Sequence, residues 1–336
     1  MYANHCGYIG KLFTAFYMHV TQGRLLHHFL MKGTVKIKLH DPGFKSGFVT
    51  IVGRTNVGKS TLLNNMLGQK LTIMSDKPQT TRHKIQCVLT GADYQAVFID
   101  TPGIHKPKHK LGEHMVGTAL NALREVDVVL LLVEAAMPGP GDHYMLEQLK
   151  KVTGPVLLAI NKIDLIKPDE LMPIIAAFQK TGNFADIVPV SALTGENVQH
   201  LRQVIINYLP EGPQYYPDDM VVDRPERFIM AELIREKVLH LTSQEVPHSV
   251  AVVVDEVEQR SQELVAVRAV IYTERESQKG ILIGKGGRML KEVGKQARQE
   301  LEALLGSRIF LELWVKVKKD WRNRDIDMRN FGLLEE

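Results

Sequence analysis

Gly53-Arg54-Thr55-Asn56-Val57-Gly58-Lys59-Ser60 decides how this chain is read. The run fits G-x-x-x-x-G-K-[ST], a loop that wraps nucleotide phosphates. The apolar residues 48–52 before it predict a buried strand, and residues 61–67 after it predict a helix. Glycine lets the backbone curl so that successive N–H groups face one anion. The helix N-terminus adds a partial positive charge. Lys59 would then reach the β and γ phosphates, and the Ser60 hydroxyl would hold Mg²⁺. Thr61 completes the expected cradle.

Outward from the loop, apolar strands alternate with helical stretches as far as Leu209. Strands are expected at 48–52, 85–89, 96–100, 127–133, 156–161 and 187–190. Continuous apolar strands separated by helices predict an α/β domain, a mostly parallel sheet with helices on both faces. Four further motifs fall at predicted strand ends, where open α/β sheets gather their ligands. Asp100-Thr101-Pro102-Gly103 offers an acid for the Mg²⁺ shell and a Gly103 N–H for a γ-phosphate. Asn161-Lys162-Ile163-Asp164 offers a base reader. The Asp164 carboxylate can accept from N1–H and the 2-amino group of guanine, a donor pair that adenine lacks. Ser191-Ala192-Leu193 offers a backbone N–H for guanine O6. In Gln79-Thr80-Thr81-Arg82, Thr81 is expected to complete the metal shell, with Thr80 as the fallback. Alone, each short motif reads as a turn or strand end. Five in order do not.

These residues resemble the G1–G5 motif set of the translation-factor-related GTPases. The resemblance implies GTP and GDP as ligands, Mg²⁺ as cofactor, and roles for Lys59, Thr81 and Gly103 in catalysis. It departs from the Ras pattern at Ile104, where a glutamine would orient the attacking water. Slow intrinsic hydrolysis is therefore expected. Asn56 has two readings: a residue that fits the turn, or one that admits K⁺ in place of an arginine finger, as in related GTPases. His105-Lys106-Pro107-Lys108-His109-Lys110 spaces two histidines four apart. Prolines and interleaved lysines argue for a solvated switch loop over a metal site.

Pro210-Glu211-Gly212-Pro213-Gln214-Tyr215-Tyr216-Pro217-Asp218-Asp219 breaks the pattern and reads as a linker. The remainder reads as helix, strand, strand, helix, helix, strand. An amphipathic helix is expected at 228–241, strands at 250–257 and 264–273, a short helix near 278–283 and a longer one at 288–305. A strand at 309–317 closes the chain. Gly284-Lys285-Gly286-Gly287 joins the last two helices and fits G-x-x-G, the loop by which KH domains clamp single-stranded RNA. Arg288, Lys291, Lys295 and Arg298 make one basic helix face, and Leu290, Val293, Ala297, Leu301 and Leu304 an apolar one. Lys316, Lys318, Lys319, Arg322 and Arg324 extend the basic footprint. Phe310 and Trp314 fall on the other face of the last strand, where either could stack a base, and packing under a helix is the expectation favoured.

A G1–G5 domain followed by a type II KH domain, a smaller α+β unit, resembles the Era family of ribosome-assembly GTPases. The resemblance runs from about residue 45 to the C-terminus. It implies binding near the 3′ end of small-subunit ribosomal RNA and a part in maturing the 30S particle. It also implies a cytoplasmic monomer with peripheral membrane association. The limits drawn are 1–44 for an N-terminal extension, 45–209 for the GTPase domain, 210–219 for the linker and 220–336 for the KH domain. Competing readings are an RNA-binding assembly factor whose nucleotide is structural, and a related GTPase acting on tRNA or the other ribosomal subunit.

The chain's 336 residues suit two domains, and a net charge of +4 makes any nucleic-acid surface local. Cys6 and Cys87 have no metal or redox spacing, which fits a reducing compartment. The longest apolar run, 126–136, is too short to cross a bilayer. Residues 1–30 carry no acid but little arginine, so they read less as a presequence than as a stretch upstream of a start at Met31.

Overall fold

The computed structural model describes residues 43–334, apart from 76, 78, 79, 104–108, 124 and 125. The readings of 1–42, of Ile104 and of 105–108 lie outside the described residues. Six strands form the first sheet: β1 (Lys45–Val52), β2 (Ile85–Thr90), β3 (Tyr94–Asp100), β4 (Val128–Glu134), β5 (Val156–Asn161) and β6 (Asp186–Val190). Their order is β2-β3-β1-β4-β5-β6. Only β2 runs antiparallel to its neighbour, because a tight turn at Gly91 joins it to β3. The remaining pairs are parallel and need crossovers. Helices α1 (Lys59–Leu67) and α5 (Val198–Tyr208) cover one face through Leu62, Leu63, Leu201 and Ile205. Helices α2 (Lys110–Ala122), α3 (Pro140–Leu149) and α4 (Pro168–Gln179) cover the other through Ala119, Met145 and Phe178. The chain leaves β1 for β3 on one side and β4 on the other. The crevice at the C-terminal end of β1 is thus the switch point where such sheets bind ligands.

The expected linker is bound along the sheet. The backbone of Ser46 donates to Pro210 at 2.9 Å, and Gly212 donates to Phe44 at 3.1 Å. The buried Gln95 side chain accepts from the Tyr215 and Tyr216 amides at 2.8 and 2.9 Å. Val88 then donates to Val221, and Asp223 to Gln86, covering the edge of β2. An open edge strand is a pairing template, and this stretch occupies it. Its prolines stop helix and strand without making it a free tether.

The second sheet has the order β7-β8-β9, from Ala251–Ser261, Leu264–Thr273 and Arg308–Val317. The first pair is antiparallel and the second parallel. Helices α6 (Glu226–Leu241), α7 (Glu276–Ile283) and α8 (Arg288–Leu305) pack on one face through Ile234, Leu282, Val293, Ala297 and Leu301. Leu304, expected on that face, is exposed. One end of the opposite face is covered by Trp321 and by Met328 of α9 (Asp325–Asn330), which also meet Leu111 and Met115 of α2. Phe310 and Trp314 sit at the uncovered end, about half exposed at 51% and 54%. Among the described residues no helix buries them, and the Arg260 guanidinium lies 5.1 Å from the Phe310 ring.

Helix α6 is not amphipathic. Every residue from Ile229 to Leu239 is buried, charged ones included. Its polar side meets the first domain rather than water. Glu236 accepts from Met74 N–H at 2.7 Å, Lys70 Nζ at 2.5 Å and Lys237 Nζ at 2.9 Å. Burial raises the Glu236 pKa, yet these donors hold the carboxyl below its ordinary value. Lys70 also binds Glu300 of α8 at 3.0 Å. Substituting Glu236→Ala leaves Met74 N–H buried without its partner and two ammonium groups sharing one acid. Unfolding free energy in urea should fall by about 2–3 kcal/mol. A loss below about 0.5 kcal/mol would show that water replaces the carboxylate.

Candidate functional site

The phosphate loop bridges β1 and α1. Gly58 has φ +102°, and a Cβ there would lie 2.3 Å from Asn161 Nδ2, so only glycine closes the loop this way. That amide donates to the Val57 carbonyl at 2.7 Å, while its oxygen accepts from Ala192 N–H at 2.8 Å. Asn161 therefore braces the first and last motifs against each other. The Asp164 carboxylate accepts from the Ser191 hydroxyl at 2.6 Å. Lys162 has φ +68° and pairs with Glu134, a residue with no motif to announce it. Leu193 stands exposed beside them. Arg54 reaches Asp142 of α3 at 3.5 Å.

Lys59 is buried and donates to the loop's own carbonyls, Arg54 at 2.7 Å and Gly53 at 3.2 Å. Burial pushes its pKa down to about 8, against the pull of Asp100. Asp100, equally buried, is pushed up to about 6, opposed by Lys59 and by hydrogen bonds from Ser60 and Thr81. Ser60 Oγ lies 3.2 Å from Asp100 Oδ2 and 3.1 Å from Thr81 Oγ1. The Thr80 hydroxyl turns away and donates to Lys77 O at 2.6 Å. Geometry thus brings Thr81, not Thr80, to Ser60.

Among the described residues, Asp100 Oδ1 is buried with no hydrogen-bond partner. One unmatched carboxylate oxygen and two hydroxyls form a hard-oxygen set that suits Mg²⁺, which keeps waters and phosphate oxygens for its other positions. Thr101 donates to Ile51 O at 3.1 Å and anchors the turn into Pro102. Gly103 lies against the loop: a Cβ on it would come within 2.9 Å of Thr55 and 3.2 Å of Lys59 Nζ.

In the second domain, Gly284-Lys285-Gly286-Gly287 forms the turn between α7 and α8. Gly287 has φ +76°, and a Cβ there would meet open space. The loop surface is therefore free for close approach by a sugar–phosphate backbone. Lys285, Arg288, Lys291, Lys295 and Arg298 are all exposed around it. Ile281 is 53% exposed just before the loop, an apolar side chain that helical periodicity had no reason to single out. Two residues of the expected basic run are already engaged. Arg322 pairs with Glu274 inside the fold, and Lys318 pairs with Asp327 at 3.1 Å. Glu274, 48 residues before Arg322, lies far enough away in sequence to escape a local reading of charge.

Residues 48–162 match the family described as 50S ribosome-binding GTPase, and residues 245–322 match the KH domain family. The GTPase Era of Staphylococcus haemolyticus (strain JCSC1435) is 57% identical over 293 residues, covering 87% of this chain and 98% of that protein. The crystal structure of Era in complex with MgGDPNP and nucleotides 1506–1542 of 16S ribosomal RNA is similar at TM-score 0.84 and 44% identity. It covers 87% of this chain and 100% of its own. An Aquifex aeolicus Era variant bound to GDP·AlF4⁻ is similar at TM-score 0.83 and 43% identity, over 87% of this chain and 100% of that one. A phosphate loop at the switch point of one sheet and a glycine loop beside another are joined here in one chain that matches those relatives along nearly their whole length. The chain belongs to the Era family of GTPases.

Proposed function

We propose that this GTPase is a switch that binds the 3′ end of small-subunit, 16S-type ribosomal RNA and assists assembly of the 30S particle. Residues 45–209 would form the nucleotide-driven part and 220–336 the RNA-binding part. The observation that carries the reading is the Ser60–Thr81–Asp100 cluster beside Lys59, in the same chain as an open glycine loop ringed by exposed bases. The Era complex with MgGDPNP and 16S ribosomal RNA supports it.

In this reading Lys59 leaves the Gly53 and Arg54 carbonyls to meet the β and γ phosphates. The N–H groups of residues 53–61 cradle the phosphate chain. Ser60, Thr81 and Asp100 hold Mg²⁺, which neutralises charge that develops on the phosphates. Gly103 offers its N–H to the γ-phosphate, so that GTP and GDP differ at a contact with the loop. Asp164 reads the guanine edge, and the backbone of residues 192–193 meets O6. Comparing turnover in K⁺ and Na⁺ decides between the two roles of Asn56, cation ligand or turn former. Placement as a cytoplasmic monomer with peripheral membrane contact rests on the family resemblance alone. Among the described residues no helix is long and apolar enough to cross a membrane.

Substituting Asp164→Asn replaces two acceptors by one donor and one acceptor, which fits xanthine and not guanine. GTP affinity should fall at least ~100-fold while xanthosine triphosphate gains affinity. Unchanged GTP binding in isothermal titration would remove Asp164 as the base reader. Lys59→Ala should abolish GTP turnover without lowering RNA affinity in the nucleotide-free protein. Linked losses of both would point to misfolding or to a structural nucleotide.

RNA binding is tested with a short single strand copying the 3′ end of small-subunit ribosomal RNA. Gly287→Asp should abolish binding by placing a carboxylate where the phosphate approaches. Lys291→Ala and Lys295→Ala should each lower the salt dependence, d log K/d log [salt], by about 0.7. A slope that stays constant in both would move the RNA off α8.

A further inference from the structure

Thr81 is carried by the segment that joins α1 to β2, and both of its neighbours are held by the second domain. On one side, Arg235 of α6 donates to the Thr80 carbonyl while its guanidinium also grips Glu232 at 2.6 and 2.8 Å. On the other, the Arg82 side chain enters the turn before β7. It donates to the carbonyls of Val250 at 2.6 Å and of Pro247 and His248 at 3.2 Å. The Arg82 guanidinium also lies 5.8 Å from the centre of the Trp321 ring, and Trp321 Nε1 donates to Ser249 in the same turn at 3.0 Å. Farther back, Met74 is held through its N–H by Glu236 and through its carbonyl by His240 at 2.8 Å. Arg82 and Arg235 are both buried at this contact, 4% and 2% exposed, and Glu232 and Glu274 are among the charged neighbours of Arg82.

We propose that Arg82 and Arg235 are positioning residues for the magnesium site: Arg235 holds the Thr80 carbonyl from the KH side, Arg82 anchors its own backbone on the KH turn at 247–250, and together they aim Thr81 at Ser60. The proposal rests on the reading of Thr81 as a metal ligand. Its physical basis is preorganisation, since a ligand on a loop binds more weakly by whatever ordering the metal must impose. Among its described residues the segment has no helix or strand, and besides the local bonds of the Thr80 hydroxyl, the bonds at residues 80 and 82 come from residues more than 150 positions away. The Thr81 side chain leaves the segment toward Ser60, while that of Arg82 leaves it toward Trp321. A displacement of the 247–250 turn therefore acts on Thr81 through a single intervening peptide. It is also a route by which occupancy of the KH domain reaches the nucleotide, without contact between the two ligands.

Three full-length variants test this: Arg82→Ala, Arg82→Lys and Arg235→Lys, with Thr81→Ala as reference. Arg82→Lys and Arg235→Lys keep the charge but replace a planar fork that spans several acceptors by one ammonium. Each is assayed, after a melting curve confirms folding, for binding of GDP and of a non-hydrolysable GTP analogue in Mg²⁺. Amide exchange of residues 80–82 is measured in the nucleotide-free protein. The expected result is about tenfold weaker binding of the analogue for Arg82→Ala, with GDP affinity within about twofold of the parent. Arg82→Lys should be intermediate, Arg235→Lys should follow it, and all three should exchange faster at 80–82. If Arg82→Ala does not fold, the two lysine variants carry the same comparison. Equal losses for GDP and the analogue, or unchanged affinity in folded variants, overturn the proposal and leave Thr81 as a ligand. Thr81→Ala retaining the parent's preference for the analogue overturns the reading beneath it, and the proposal with it.

Discussion

Buried charge at the seam between the two domains constrains everything else in this structure. An ion taken out of water is tolerated only when it is paired and hydrogen-bonded. Glu232, Arg235, Glu236 and Lys237 on α6, and Arg82 opposite, are all buried. Glu232 pairs with Arg235, and Lys237 with Glu236 and Glu300, inside the second domain; Glu236, Arg235 and Arg82 complete their sets only where the two domains meet in one register. A hydrophobic seam could slide by a few ångströms at little cost. A seam of carbonyls, guanidinium groups and carboxylates cannot, because each slip strands a charge. The environment also affects His83, which packs edge-on against Phe228 with ring centres 4.7 Å apart. Burial pushes its pKa down to about 4; Glu232 opposes this, and Arg235, Arg224 and Arg82 add to it. The ring is thus held neutral among cations.

The phosphate site shows the same economy on a smaller scale. Lys59 and Asp100 are buried within reach of each other, and each is driven toward its neutral form by desolvation. The loop's own carbonyls accept hydrogen bonds from the ammonium, and the hydroxyls of Ser60 and Thr81 face the carboxylate. Each of these bonds is one that a polyphosphate and its cation can replace in kind. The site is built of groups that exchange partners rather than groups that wait without them, Asp100 Oδ1 excepted.

What could be read in the sequence was local. The phosphate loop, the strand-end motifs and the element order all depend on residues within a few positions of one another. The structure has the six strands of the first sheet and the helix, strand, strand, helix, helix, strand order of the second. What escaped depends on partners far along the chain. Helix α6 looks amphipathic because its charged residues suggest water, and the first domain covers them instead. Arg322 looks like part of a basic footprint until Glu274 and the turn at 247–250 close around it. Phe310 and Trp314 look like core because aromatic residues usually are, yet the C-terminal turn and α9 cover only the other end of their sheet. At the site, Asp164 and Ser191 were legible as a pair of motifs. The bracing role of Asn161 and the bond from Ser60 to Thr81 needed the fold.

The stretch from Pro210 to Asp223 lies along the first sheet, bonded to Phe44, Ser46, Gln86, Val88 and Gln95. The covalent connection between the halves is therefore not what determines their mutual geometry. A single proteolytic cut near Asp218 would divide the strap, and the two fragments would still be joined by its 221–223 bonds to β2 and by the polar seam. The halves would migrate together under native conditions and separate only in denaturant. Two genes encoding them could accordingly be expressed apart and reassemble by complementation.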